Sequence, residues 1–325
     1  MSRRTQYGIP EAQAQALRKA VAWEWATIVY TSITIVLVAF VVGNSQAMRT
    51  AWIEDMLSLL PQISFLVALI FMRRSPTRRF PYGLQRGMDV GHLVAGVALL
   101  VVGLNLAVES ITGLVAVEHP TIGTVQLFGR TIWLGWLMVA VMAVIAVGPF
   151  IYGRAKLKLA PLLHNKVLYA DADMAKADWH TNAASVVGVL GIGVGLWWLD
   201  GAAALFISCG IVWDGFKNTR SAVLDLLDQR ARTYEDKMPH PLIREVTDHL
   251  RRQPWVADVA VRMRDLGQVF HAEVFVVPVK SRPPKVETLQ EVTEAVTALD
   301  WKLQNVVIIP VPRLPAEADR GLDDR

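Results

Sequence analysis

Cysteine is almost absent. Cys209 is the single thiol in 325 residues, which excludes a disulfide framework and any metal centre built from cysteines. The signatures of soluble catalysis are missing as well: no glycine-rich phosphate loop, nucleophile elbow or HExxH spacing occurs, so nothing marks the chain as an enzyme. Charge is also scarce. Asp, Glu, Lys and Arg make up 19% of the residues against 53% hydrophobic, and the mean hydropathy is +0.34, too apolar for an ordinary soluble protein.

Long apolar runs account for this. Residues 23–42, 55–72, 89–115, 131–152, 179–199 and 201–217 reach or approach the length of about 20 residues that crosses a bilayer, and predict six transmembrane helices. The first run is too long for a cleaved signal and follows a polar, amphipathic segment from Pro10 to Ala20, so it is read as a retained helix. Basic residues alternate between connections. Arg3, Arg4, Arg18 and Lys19 precede the first helix, Arg73, Arg74, Arg78, Arg79 and Arg86 follow the second, and Arg154, Lys156, Lys158 and Lys166 follow the fourth. The positive-inside rule then predicts a multi-pass protein of the cell (inner) membrane with both termini cytoplasmic. Because topology alone accounts for the basic clusters, they give no reason to invoke nucleic acid as a partner.

After residue 220 charge returns at soluble frequency. Leu242, Ile243, Val246 and Leu250 have helical spacing within 240–253, and Val259, Val261 and Met263 alternate like a strand within 258–264. A second strand at 269–277 after Gly267, a helix at 288–300 and a strand at 305–311 complete a small α+β layer with helices on one face. The expected organisation is a cytoplasmic N-terminal segment 1–22, a six-helix transmembrane domain 23–220, a cytoplasmic α+β domain 221–312 and a disordered tail 313–325. The fold class is thus an α-helical membrane protein with a cytoplasmic α+β C-terminal domain.

Ionisable residues within the apolar runs are the candidates for function, because each costs about 2.5–3.5 kcal/mol at a helix centre on insertion scales. The stretch from Leu168 to Gly195 carries Asp171, Asp173, Lys176, Asp178 and His180, and Asp171, Met174 and Asp178 share a helix face. Asp173, Lys176 and His180 recur on roughly the opposite face, as an internal salt bridge would. Gly191, Gly193 and Gly195 suggest close helix contact. In the second helix Glu54 and Ser58 lie four residues apart, with Asp55 one step round. Two readings stand for these carboxylates: they cap an outward-facing helix end, or they meet the Asp178 face and coordinate a divalent cation through oxygens. His92 reads as a structural histidine, and Glu109 either pairs with an arginine or lines the path.

With these residues in view, the chain resembles the cation diffusion facilitators, or cation efflux family. The resemblance rests on Arg73 to Gly83 (RRSPTRRFPYG), similar to an arginine-rich loop ending in His-Pro-Phe-Gly, on Glu109, on ADADMAKAD at 170–178, on Asp200, and on LDLLD at 224–228. It implies a homodimeric, proton-coupled exporter of a divalent metal cation working by alternating access, an antiporter whose site lies between helices 2 and 5. It also aligns Glu54 and Ser58 with the family's first pair of membrane ligands, and Met174 and Asp178 with the second. Ser58 and Met174 are poor replacements for a carboxylate and an imidazole, so a tetrahedral zinc site with nitrogen ligands is not preserved. Asp55 and Asp171, beside the motif face, are placed to supply the missing oxygens. The set implied is Glu54, Asp55, Ser58, Asp171, Met174 and Asp178, and it admits manganese, iron(II), cobalt or zinc as the transported cation. Glu54 or Asp178 would carry the proton. Phe80 replaces the loop histidine, and Val274 stands where the strand histidine is expected with His271 displaced, so accessory metal sites are not expected. No resident cofactor is implied; the partners are the divalent cation, protons, membrane lipid and a second copy of the chain. The substituted ligands also fit a non-transporting dimeric scaffold or sensor. One difficulty comes from counting: Glu54 falls near the outer end of its helix while Asp178 falls about 21 residues before the end of its own, a difference of about 30 Å.

Overall fold

In a computed structural model of the chain, which describes residues 10–318 apart from positions 73, 75, 128 and 268, α1 runs unbroken from Glu11 to Val41. The polar segment and the first apolar run are therefore one helix, and residues 1–9 of the expected N-terminal segment lie outside the described residues. Next come α2 (Gln46–Met72), α3 (Gly87–Val115), a hairpin of β1 (Thr124–Leu127) and β2 (Arg130–Trp133), then α4 (Leu134–Ile145), α5 (Val147–Leu163), α6 (Lys166–Gly193) and α7 (Trp198–Leu226). Five stretches among the described residues are long and apolar enough to cross a membrane: α1, α2, α3, α4 continued by α5, and α7. The remaining helix, α6, has 28 residues but carries Asp171, Asp173, Lys176 and Asp178 in its first half. It packs against α2, α4, α5 and α7, so its claim to be the sixth crossing rests on its place in the bundle.

The fourth apolar run is two helices in line because of Pro149. Lacking an N–H, proline cannot bond the carbonyl four residues earlier, here that of Ile145. The Tyr30 hydroxyl of α1 donates to that carbonyl at 2.7 Å, and the Tyr30 ring lies where a Cβ on Gly148 would stand, 2.2 Å away. Glycine is thus required for the ring to reach the break. The helix then continues past the expected end of the run, which places Lys156 inside the bundle with no exposed surface. Counting Lys156 among the charges of a cytoplasmic loop was wrong: the basic stripe Arg154, Lys156, Lys158 lies on a helix, and Lys156 faces inward.

Close approach fixes other seams. A Cβ on Gly96 or Gly103 of α3 would come within 2.7 Å or 2.9 Å of α7, and one on Gly215 of α7 within 2.4 Å of the Leu100 backbone, so these helices touch along a glycine-lined seam. His92 is buried there with its Nε2 3.3 Å from Asn218 Oδ1, the structural role expected. Gly191 and Gly193 also permit contact, with Leu199 and Trp133 respectively, whereas Gly195 is a turn residue at φ 87°.

The C-terminal unit consists of α8 (Pro241–Arg251), β3 (Val256–Asp265), β4 (Phe270–Pro278), α9 (Val286–Thr297) and β5 (Leu303–Pro310). The sheet order is β3-β4-β5, antiparallel across the first pair and parallel across the second. Val259, Val261 and Met263 meet Val274 and Val276 on the face covered by α8 and α9. Ala260 and Phe275 face the other way, where Val311, Leu314 and Ala318 cover them. Residues 319–325, the rest of the expected tail, lie outside the described residues.

This unit is joined to the bundle through buried polar groups. Lys302 Nζ donates to the His164 carbonyl at 3.2 Å and sits 4.1 Å over the Phe270 ring. His240 caps α8, its Nδ1 accepting from the Leu242 N–H at 3.2 Å, while its Nε2 faces His164 Nδ1 at 3.1 Å. Because Nδ1 accepts, the neutral ring carries its proton on Nε2, and protonation of Nδ1 would break the cap.

Two outcomes follow from these contacts. Tyr30→Phe strands the Ile145 carbonyl at a cost of about 1–3 kcal/mol, and Gly148→Ala drives a methyl into the ring, so both should lower the thermal unfolding midpoint in detergent; an unchanged midpoint would contradict the account of the break. Burial, aided by the charge on Lys302, pushes His240 down from 6.5 to about 3. The unfolded chain therefore binds a proton that the folded chain refuses. Stability from this group is intact above about pH 6.5 and is lost as pH falls toward 3. His240→Asn, which can still cap, should flatten that part of the pH–stability curve relative to the native chain.

Candidate functional site

The starting point is Asp200, at the beginning of α7. Its carboxylate accepts from Ser45 Oγ at 2.6 Å, from the Gln46 N–H at 2.6 Å and from the Ala47 N–H at 3.3 Å, satisfying the open amides at the start of α2. The next contact sets the register of α2 against α6, with Ser185 Oγ 3.5 Å from the Ala47 carbonyl. The two helices run antiparallel. Seven residues along α2 from Ala47 is Glu54, and seven residues back along α6 from Ser185 is Asp178. The two carboxylates therefore stand at the same level. The difficulty of depth is resolved: α6 ends at Gly193, not at 199, and overshoots the start of α2 by the eight residues after Ser185, about 12 Å.

Glu54, Asp55 and Asp178 line one cavity together with Thr181 and Asn182, walled by Val38, Ala51, Trp52 and Met142. Its volume is about 10 Å³, room for about one water-sized occupant. Trp52 is pinned by its indole N–H donating to the Ile35 carbonyl at 2.9 Å. Asn182 donates from Nδ2 to the Asp178 carbonyl at 2.8 Å, and the Tyr152 hydroxyl of α5 donates to Asp178 Oδ2 at 3.4 Å. Glu54 Oε2 is enclosed and has no hydrogen-bond partner. Among the described residues, none of these three carboxylates has a lysine or arginine partner, and no group of three His, Cys, Asp or Glu side chains is drawn together as a preformed metal cluster.

The other expected ligands lie elsewhere. Ser58 turns its hydroxyl back onto the Asp55 carbonyl of its own helix at 2.8 Å. Met174 packs, partly buried, against the apolar core of the bundle, its sulfur 3.9 Å from Asn218 Nδ2. Asp171 is bonded to Lys156, whose Nζ also lies 3.0 Å from Glu24 Oε2 of α1. Glu24, at 1% exposure, and Lys156 were not singled out from the sequence; Glu24 looked like the edge of the first run and Lys156 like a loop charge. Thr181 and Asn182 were missed too, although they fall three and four residues after Asp178, one turn on along the same face.

The remaining charged candidates are paired. Glu109 meets Arg49 at 2.5 Å on the surface, both about half exposed, a pair that contributes little to stability. Asp173 is bridged by Lys217 at 2.8 Å and more distantly by Lys176 at 3.9 Å. His180 stacks on Trp179 with ring centroids 3.8 Å apart.

Comparison with known proteins identifies the family. The chain is 25% identical over 203 residues to an uncharacterized transporter, YdbO, of Bacillus subtilis, covering 61% of this chain and 66% of that protein, slightly under two thirds of its length. It is 20% identical over 240 residues to the manganese efflux system protein MneS of the same organism, covering 72% of this chain and 74% of the relative. Both relatives are named for transport. The description of the cation efflux transmembrane domain matches residues 25–227, a stretch that contains Asp200, the α2–α6 register and all three pocket carboxylates, and the chain belongs to the cation efflux family.

Proposed function

We propose that this chain transports a divalent metal cation through the cavity between α2 and α6, with Glu54, Asp55 and Asp178 as ligands. The observation that carries this reading is the contrast in charge pairing: Asp171, Asp173, Glu109 and Asp225 each have a lysine or arginine, whereas the three carboxylates of the cavity have none among the described residues. Unpaired carboxylates at membrane depth are costly, and a divalent cation drawn between them supplies the missing charge. Thr181 and Asn182 add neutral oxygens. The donor set is all oxygen, which suits hard cations such as manganese and lacks the soft or nitrogen ligands that favour zinc. A relative named for manganese efflux supports the same choice.

Efflux in exchange for protons by alternating access belongs to the same proposal, with Glu54 or Asp178 taking up a proton as the cation leaves. So do a homodimer and cytoplasmic termini, the latter supported by Arg18 and Lys19 near the start of α1 and by Arg74, Arg78, Arg79 and Arg86 between α2 and α3, where Arg86 pairs with Asp228. Ser58 and Met174 are given no ligand role.

Proton-coupled flux in proteoliposomes offered manganese, iron(II), cobalt and zinc is the test. Manganese flux is expected in the native chain and a loss of at least a hundredfold in Asp178→Asn, while Ser58→Ala stays within about threefold of native. A native chain that folds, dimerises and carries no cation would point instead to a scaffold or sensor. The same reading makes a statement about stability. Because the carboxylates are held together for a cation, Asp178→Asn without divalent metal should be as stable as the native chain or more so, by on the order of 1 kcal/mol; a lower unfolding midpoint would mean that Asp178 serves the fold.

A further inference from the structure

Two further carboxylates lie inward of the cavity, on the side of the C-terminal unit. Asp171 is seven residues before Asp178 on the same face of α6, about 10 Å along the helix. Lys156 is one turn beyond Tyr152 on α5. The two positions are connected through these α5 side chains: the Tyr152 hydroxyl touches Asp178, its ring centroid lies 5.5 Å from Lys156 Nζ, and Nζ is bonded to both Asp171 and Glu24.

We propose that Glu24 and Asp171 form an inner binding site for the transported divalent cation, which the tethered ammonium of Lys156 fills until an arriving cation displaces it. This rests on the transport reading above and extends it by one station.

Three features favour the assignment over a purely structural ion pair. The first is charge: with both carboxylates ionised, one ammonium leaves the buried pair at −1, whereas a divalent cation in the same place brings the carboxylates to neutrality. The second is valence, since Glu24 is 1% exposed yet its Oε1 has no hydrogen-bond partner. The ammonium bonds one oxygen of each carboxylate, and a cation that takes six or more oxygen ligands would recruit the second oxygens along with water. The third is a resting place for the displaced amine, because Lys156 Nζ is already within cation–π range of the Tyr152 ring. No comparable alternative is built for Lys217, whose pair with Asp173 is about half exposed.

The test counts bound manganese in the purified full-length chain by equilibrium dialysis. Lys156→Met removes the tethered competitor and should bind one more equivalent than the native chain, and the gain should vanish when Asp171→Asn is added. Repeating the pair in an Asp178→Asn background separates the two readings. Lys156→Met should still gain its equivalent there, even if the central site proves not to bind metal. No gain in either background would overturn the inner site. Should Lys156→Met not be recovered folded, the uncharged triple variant Glu24→Gln/Lys156→Met/Asp171→Asn takes its place. It should bind manganese at the central site within about twofold of native affinity yet carry it at least tenfold more slowly; native flux in that variant would overturn the proposal.

Discussion

Hydrocarbon offers no hydrogen bonds, so each backbone group or charge that the bundle places at membrane depth must be satisfied by another part of the protein. The arrangement of the helices can be read as a set of answers to that constraint. Pro149 leaves the Ile145 carbonyl open, and Tyr30 closes it from α1. The first amides of α2 are open by the nature of a helix end, and Asp200 meets them from α7. Lys156 is fully enclosed, and Glu24 and Asp171 neutralise it from α1 and α6. Each solution ties two or three helices together at a defined height. The height of Asp178 opposite Glu54 follows from Asp200 and from the contact of Ser185 with Ala47.

Against that background the three carboxylates of the cavity have no lysine or arginine among the described residues: Asp178 has the Tyr152 hydroxyl, and Glu54 keeps one oxygen without a hydrogen-bond partner. Removing one partner of a buried ion pair is strongly destabilising, and a bundle that provides a lysine for Asp171 had the means to provide one for Asp178, one face and seven residues away. On the proposed reading, the difference between the two groups of carboxylates is the difference between a cation that is part of the protein and one that passes through it. Asp171 and Asp178 share one face of α6 and are linked through Tyr152 and Lys156, so the proposal makes the two groups successive stations of one path.

Much of this architecture was legible in the sequence. Apolar runs of bilayer length gave five of the spans directly, and alternation at Val259, Val261 and Met263 gave the buried face of β3. Helical spacing gave α8 and α9. Glu54, Asp55 and Asp178 could be picked out because charge in an apolar run is expensive whatever the fold. What could not be read depends on how helices are set against each other. Lys156 lies in a basic stripe that looks like a loop, and only the helix continuing past Pro149 turns it inward. Asp171 looked like a spare ligand because its partner Lys156 is 15 positions away in the chain, and Glu24, which shares that lysine, is 147 away. Ser58 and Met174 entered through helical spacing and the family motif, whereas the contacts they make are with a backbone carbonyl for one and the apolar core for the other. The hairpin at Thr124–Trp133 was divided between a connection and a hydrophobic run whose first three residues, 131–133, are strand.

The central claim is that the transported cation sits between α2 and α6. Anomalous scattering from crystals of the full chain grown with manganese measures this directly. The account predicts a peak within coordination distance of Glu54, Asp55 and Asp178, absent in Asp178→Asn. A manganese peak at Ser58 and Met174 with the cavity empty would contradict it.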